Sequence, residues 1–115
     1  MGKYKIRIYA HAKKDLKGII SYLNKQPPAA AIKYYDLLVE KIIGLSENPK
    51  RCPFVREIAL KANGYRYLIV EGYLVLFVTK DDTVQIRRII YGKSRLRMAI
   101  IRNFTPRPPH LNRVT

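Results

Sequence analysis

The chain has 115 residues, of which 23 are Lys or Arg and eight are Asp or Glu, so its formal net charge is +15. This length fits one domain that can bury a core without disulfide or metal staples. Solubility alone needs a net charge of only about 2–8 in magnitude, so the excess favours a polyanionic partner, nucleic acid or an acidic protein, over a membrane surface.

Cysteine and hydropathy limit the cellular setting. The single cysteine, Cys52, excludes an internal disulfide and a multi-cysteine metal site. The sequence shows no signal-peptide block near Met1 and no apolar run of about 18 residues. We therefore expect a cytoplasmic protein in a reducing compartment, with no membrane partner.

The first half of the chain predicts one strand and two helices. Apolar and polar residues alternate over residues 3–9, which is typical of a half-buried strand. Apolar residues recur at helical spacing over residues 12–24, and the pair Pro27-Pro28 ends that helix. Pro28 suits the first turn of a second helix, whose apolar stripe extends to residue 48. The two helices are expected to form an antiparallel hairpin.

The second half predicts a small antiparallel sheet. Residues 50–63 lack a clear period and contain Pro53, so we expect a connection with one short strand around residues 55–59. Three β-rich runs then follow between residues 64 and 94, separated only by Glu71-Gly72 and Lys80-Asp81-Asp82. Such short polar turns join antiparallel neighbours, so the runs predict a three-strand meander.

The C-terminal region completes the predicted architecture. Residues 94–104 are expected to form a short helix, and residues 105–115 contain three prolines that favour a flexible tail. The expected fold class is therefore α+β, with an N-terminal strand, an antiparallel helical hairpin, a three-strand antiparallel meander and a short C-terminal helix. Residues 1–104 form a single domain in this interpretation, with the hairpin packed on one face of the sheet.

Chemistry-bearing residues gather near the end of the meander. The sequence has no Gly-rich phosphate loop and no metal-ligand spacing, so we expect neither a cofactor nor a metal. The candidate residues for binding a target or an anion are Arg66, Arg88, Tyr91, Lys93 and Arg95. Cationic groups can hold phosphates, and tyrosine can stack on a base or transfer a proton. If the chain is an enzyme, metal-independent RNA cleavage by Arg66, Tyr91 and Arg95 is the chemistry that these residues suit.

Two of these arginines are predicted to lie among apolar neighbours. Strand alternation gives Arg66 the neighbours Leu68 and Val70, and gives Arg88 the neighbours Val84, Ile86 and Ile90. An unpaired charge there is costly. Each arginine is therefore either structural, satisfied by backbone carbonyls and a carboxylate such as Glu71 or Asp82, or it borders a groove that receives an anion. The sequence favours the groove for Arg66 and the structural role for Arg88.

The three β-rich runs also carry a family resemblance. The segments 64–70, 72–77 and 84–95, together with the pair Asp15-Leu16 in the first helix, resemble the RelE/ParE superfamily of toxins from bacterial and archaeal toxin–antitoxin pairs. The resemblance spans residues 3–100. It implies the fold described above, growth inhibition, a cognate antitoxin partner and a role such as plasmid stabilisation.

The RelE-like branch consists of ribosome-dependent mRNA endonucleases. At three positions where those ribonucleases carry catalytic groups, this chain has Leu74, Ser94 and Ile100. Arg66 could stand in for a lysine that those enzymes carry on the first strand of the meander, and Arg95 could replace the arginine displaced by Ser94, so a rearranged nuclease with ribosome and mRNA as partners stays open.

The ParE-like branch, which acts on DNA gyrase, resembles the chain more closely. Its Gly-x-Arg-x-Leu run corresponds to residues 64–68, and its Arg-x-x-His-Gly-basic run corresponds to residues 88–93, with Tyr91 in place of His. The resemblance therefore favours a ParE-like toxin. A non-toxic nucleic-acid-binding module is the alternative from another functional class, because it would also explain the charge.

Overall fold

The structure, a computed structural model, describes residues 3–91 and contains one four-stranded sheet. The strands are β1 (Lys5–Ile8), β2 (Arg66–Val70), β3 (Tyr73–Lys80) and β4 (Thr83–Tyr91), and their order across the sheet is β1-β4-β3-β2. β3 is antiparallel to both of its neighbours, β2 and β4, whereas β1 runs parallel to β4. The predicted N-terminal strand and three-strand antiparallel meander are confirmed.

Two helices cover one face of this sheet. Helix α1 (Ala10–Leu23) begins directly after β1, and α2 (Pro28–Gly44) begins at Pro28, whose missing N–H group costs nothing in the first turn. Both helices pack against the same apolar side chains of the sheet. The largest fully buried members of this core are Phe77, Leu38, Leu45 and Ile86. The predicted helical hairpin is therefore confirmed, and none of the helices within residues 3–91 has the length and hydropathy to cross a membrane.

The connection between α2 and β2 differs from the prediction. It contains a short 3-10 helix (Pro49–Arg51) and a one-turn helix α3 (Ile58–Ala62), whereas a strand was expected at residues 55–59. The strand prediction is wrong because the Glu57 carboxylate accepts the Leu60 N–H at 2.8 Å and so begins a helix. The only strand-like pairing of this connection within the described residues is a single bridge between Phe54 and Arg66.

The same connection covers part of the second face of the sheet, which we call the outer face. Val55 is fully buried there, and its N–H donates to the Tyr65 carbonyl at 2.9 Å. A small second core results. Its members are Val55, Leu74, Leu76 and Ile90, with Leu60, Tyr65 and Tyr67 packed around them.

A β-bulge in β4 changes the face of the sheet on which the following side chains of this strand lie. Leu76 pairs with Arg88 while Phe77 pairs with Ile86, so Arg87 is an extra residue in β4. Ile86 belongs to the helix-covered core, and Ile90 belongs to the outer-face core. The expectation that Arg88 shares one face with Ile86 and Ile90 is therefore wrong, because one inserted residue reverses the alternation. The predicted helix at residues 94–104 and the predicted tail at 105–115 lie outside the described residues.

Two glycines give a paired test of the backbone. Gly64 has a φ of 78°, which side-chain-bearing residues rarely adopt, whereas Gly18 lies within α1, and a Cβ atom would meet nothing within 4 Å at either position. We expect Gly64→Ala to lower the free energy of unfolding by about 1 kcal/mol and Gly18→Ala to raise it by about 0.5–1 kcal/mol. Urea unfolding followed by circular dichroism measures both values. Equal effects of the two substitutions would contradict the assigned φ of Gly64.

Candidate functional site

The C-terminal half of β4 has an edge that β1 does not reach. The parallel pairing of β1 with β4 ends at Ile8 and Ile86. Beyond that point, Asp15 of α1 takes over the role of a neighbouring strand. Its Oδ2 atom accepts the backbone N–H of Ile89 at 2.9 Å. A carboxylate on the helix thus satisfies a backbone donor that an unpaired strand edge would leave exposed.

Asp15 also binds the Arg88 guanidinium through both of its oxygens. The Arg88 Nε donates to Oδ2 at 2.7 Å and its Nη2 donates to Oδ1 at 3.1 Å. This two-point geometry is the strong form of an arginine–carboxylate pair. The hydrogen bond to Asp15 raises the pKa of Arg88 and outweighs the opposing effect of burial. Arg88 therefore takes the structural alternative, although its partner is Asp15 and neither Glu71 nor Asp82.

A groove of about 500 Å³ lies between α1 and this edge of β4. The Asp15–Arg88 pair forms part of its wall, and Tyr91 lies at its end with 46% of its surface exposed. Lys14, Gly18 and Tyr22 line the helix side. Lys93 and Arg95, the next cations of the predicted site, follow Tyr91 in the sequence and lie outside the described residues.

Three tyrosine rings meet at the end of the groove. The Tyr91 ring centroid lies 4.7 Å from that of Tyr73 and 5.6 Å from that of Tyr22. Gly72 allows this approach, because a Cβ atom there would be only 2.9 Å from the Tyr91 ring. The negative potential of Tyr22 raises the pKa of Tyr91, and burial raises the pKa of Tyr73. The raised pKa values keep Tyr73 and Tyr91 uncharged at neutral pH, and the cluster presents stacking faces and hydroxyl groups.

Arg66 lies apart from this groove, at the start of β2. Its Nη1 donates to the carbonyls of Cys52 at 2.5 Å and of Lys50 at 3.1 Å, and its guanidinium carbon lies 3.9 Å from the Phe54 ring centroid. The expectation that Arg66 borders a groove and waits for an anion is therefore corrected. Two backbone carbonyls already bind its Nη1 group, and the side chain ties the 50–54 connection to the sheet. The predicted site residues Arg66 and Arg88 are thus held by separate elements.

One position that bears on the ribonuclease alternative lies in the outer-face core. Leu74, which stands where the RelE-like enzymes were expected to carry an arginine, is completely buried against Val55. A cation introduced there would lie in an apolar core. Within residues 3–91 no three His, Cys, Asp or Glu side chains gather as metal ligands.

Sequence reasoning missed two features of the site. Asp15 was noted only as part of a helix motif, because its contacts with Arg88 and Ile89 cross more than 70 positions of the sequence. Arg87 was not named as a candidate, yet its side chain stacks on Tyr9 at 4.5 Å. The alternation of residues 3–9 placed Arg7 and Tyr9 on one face and was the signal that could have found this second cluster.

Asp15→Asn tests the connection between α1 and β4. The amide offers one oxygen to three donors, so we expect the free energy of unfolding to fall by about 1–3 kcal/mol. The matched control is Asp36→Asn, which changes an exposed acid of α2 and should alter stability by less than about 0.5 kcal/mol. Urea unfolding of the two variants gives the comparison. Equal stabilities would show that Asp15 does not hold the edge.

The tyrosine cluster predicts a pH dependence at the alkaline end. Tyr73 has a raised pKa in the folded chain, so the unfolded chain releases this proton first, and the associated stability is lost as pH rises from about 10 through the folded pKa. We expect the free energy of unfolding to fall less steeply between about pH 9 and 11 in Tyr73→Phe than in the wild type. Tyr35→Phe, at an exposed tyrosine of α2 outside the cluster, is the control. Parallel pH profiles for all three chains would refute the expectation.

Comparisons with known proteins agree with this fold. The sequence model of the family described as "ParE toxin of type II toxin-antitoxin system, parDE" matches residues 6–96. A solved structure of the chromosomal ParDE system from P. aeruginosa is similar, with a TM-score of 0.64 and 22% identity over 79% of this chain and 98% of that chain. The RelBE2 toxin–antitoxin complex from Mycobacterium tuberculosis has a TM-score of 0.53 and 28% identity over 82% of this chain and 97% of that chain. No curated protein matches the sequence.

Proposed function

The chain belongs to the ParE toxin family of type II toxin–antitoxin systems, and on that basis we propose that it is a cytoplasmic growth inhibitor, neutralised by a cognate antitoxin, that acts on DNA gyrase. The burial of Leu74 is the observation that carries the choice of target. Ribonucleases of the RelE-like branch were expected to place an arginine at this position, and here a leucine fills an apolar core under Val55. This packing supports a ParE-like activity over ribosome-dependent cleavage of mRNA.

An antitoxin partner is supported by apolar side chains on the outside of the helical hairpin. Ile32 is 62% exposed, and Ile20 and Tyr35 lie beside it around a shallow cavity of about 250 Å³ between α1 and α2. A contiguous exposed apolar surface of this kind is typical of a protein interface. The net charge of +15 favours an acidic partner, whose affinity should fall with salt.

We assign the contact with the target to the residues at the end of β4. Tyr91 presents an exposed ring beside the groove, and Lys93 and Arg95 follow it in sequence. Arg88 contributes by holding the strand against Asp15, and Arg66 by holding the 50–54 connection. A surface that combines cations with an aromatic ring suits recognition of an anionic or polar target.

Expression in a bacterial host tests the proposal. We expect the chain alone to slow growth and co-expression of its antitoxin, sought in the neighbouring reading frame, to restore it. The purified chain should inhibit DNA supercoiling by gyrase and leave ribosome-bound mRNA uncut. Cleavage of that mRNA would overturn the choice of target, and normal growth with verified soluble expression would overturn the toxin function.

A pair of charge-matched variants locates the target surface. Lys93→Ala/Arg95→Ala should relieve growth inhibition and lower gyrase inhibition at least about tenfold, the range expected for losing contacts at the centre of an interface. Lys33→Ala/Lys41→Ala removes the same charge from exposed positions of α2. If both variants lose activity equally, net charge and not this surface would determine the toxicity.

A further inference from the structure

A second cationic cluster lies on the outer face of the sheet, where β1 meets β4. Arg7 is paired in register with Gln85 on these parallel strands. The residues that alternate with Arg7 in β1, Ile6 and Ile8, pack against the helix-covered core. Lys5 and Arg7 therefore project on the opposite side, and both are exposed.

Two guanidinium groups in this cluster gather on one aromatic ring. The guanidinium carbon of Arg87 lies 4.5 Å from the Tyr9 ring centroid, and that of Arg7 lies 5.2 Å from it. The bulge at Arg87 is what brings this side chain to Tyr9 and Gln85. The Arg87 Nη2 donates to the Gln85 Oε1 at 2.7 Å. Stacking and this hydrogen bond fix the Arg87 side chain in place.

The cluster has no counterion in the part of the chain that the structure describes. The ion pairs within residues 3–91 are Lys3 with Glu47 and Arg88 with Asp15, so neither Arg7 nor Arg87 has a carboxylate partner there. In addition, the Arg87 Nε is buried without a hydrogen-bond partner among these residues. Holding two cations close together and partly desolvating one of them costs free energy that a bound anion would offset.

We propose that Lys5, Arg7 and Arg87 form a binding strip for the phosphodiester backbone of nucleic acid. The three cations follow one another along the β1–β4 pair, which suits a chain of repeated single charges better than one isolated carboxylate. The guanidinium groups supply planar donors for phosphate oxygens. The strip lies on the sheet face opposite the helical hairpin, so it is distinct from the antitoxin surface proposed above and does not depend on that proposal.

The salt dependence of binding tests the strip. Fluorescence anisotropy with a labelled 20-base-pair duplex DNA, and in parallel with a single-stranded RNA, gives affinity as a function of salt. Each phosphate contact contributes about 0.9 to the slope of log affinity against log salt for duplex DNA and about 0.7 for a single strand. For Arg7→Gln/Arg87→Gln we expect the slope to fall by nearly two contacts and the affinity at a fixed salt concentration of about 0.1 M to fall about tenfold. The nucleic acid, duplex DNA or single-stranded RNA, for which this variant loses more affinity is the one that the strip binds.

Two further variants make the result specific. Lys33→Gln/Lys41→Gln removes two exposed charges from α2, on the other side of the sheet, and should leave the slope within about 0.3 of the wild-type value, because long-range attraction alone is screened. Lys5→Gln/Arg7→Gln changes only exposed side chains, so it keeps the fold and should still lower the slope. The strip is refuted if the strip variants and the α2 variant show the same slope in both arms. Gyrase inhibition is measured on the same proteins. It tests the proposed function by itself, so refutation of the strip and refutation of the gyrase target can be told apart.

Discussion

Strand β1 is only four residues long, so the fold must satisfy the remainder of the β4 edge in another way, and the Asp15 carboxylate does so. One side chain accepts the Ile89 N–H and both donors of the Arg88 fork. These contacts fix α1 along the strand at the separation that leaves a groove. The tyrosine rings at its end follow from the same placement, because Tyr22 comes from α1 while Tyr73 and Tyr91 come from the sheet. The groove therefore exists because a carboxylate, and not a further strand, closes the edge.

The elements that the sequence predicts well are those with one clear periodicity. The alternation in β1, the helical stripes of α1 and α2 and the two short turns of the meander each depend on neighbouring residues, and each is present in the structure. The two predictions that were wrong concern local features that the periodicity of the sequence does not reveal. Near residues 55–59 a single hydrogen bond, donated by the Leu60 N–H to the Glu57 carboxylate, stabilises the start of a helix where a strand was expected. In β4 the extra residue Arg87 reverses the alternation, and nothing in the run from Val84 to Ile90 marks the position of that bulge.

The candidate site was harder to predict because an arginine's role depends on partners that lie far away in sequence. Arg66 and Arg88 look alike as cations inside apolar strands, yet one donates to the carbonyls of residues 50 and 52 and the other binds Asp15 across the molecule. Sequence reasoning could state that each must be satisfied, since a buried unpaired charge is costly. It could not choose the partner. Only the three-dimensional structure shows that the Arg87 Nε is a buried donor without a hydrogen-bond partner in the described part of the chain.

The two ends of the outer face differ in the side chains that they present. On the outer face, Leu74 and neighbouring apolar residues join the 50–63 connection to the sheet and form surroundings in which an unpaired charge is costly. The cations of that face lie instead at the β1–β4 end, around Tyr9. Apolar packing at one end of this face thus accompanies, at the other end, guanidinium groups that have no carboxylate partner among residues 3–91. Because apolar packing excludes an anion and unpaired guanidinium groups attract one, the distribution of these residues, more than the shared topology, determines where such a chain can meet its partners.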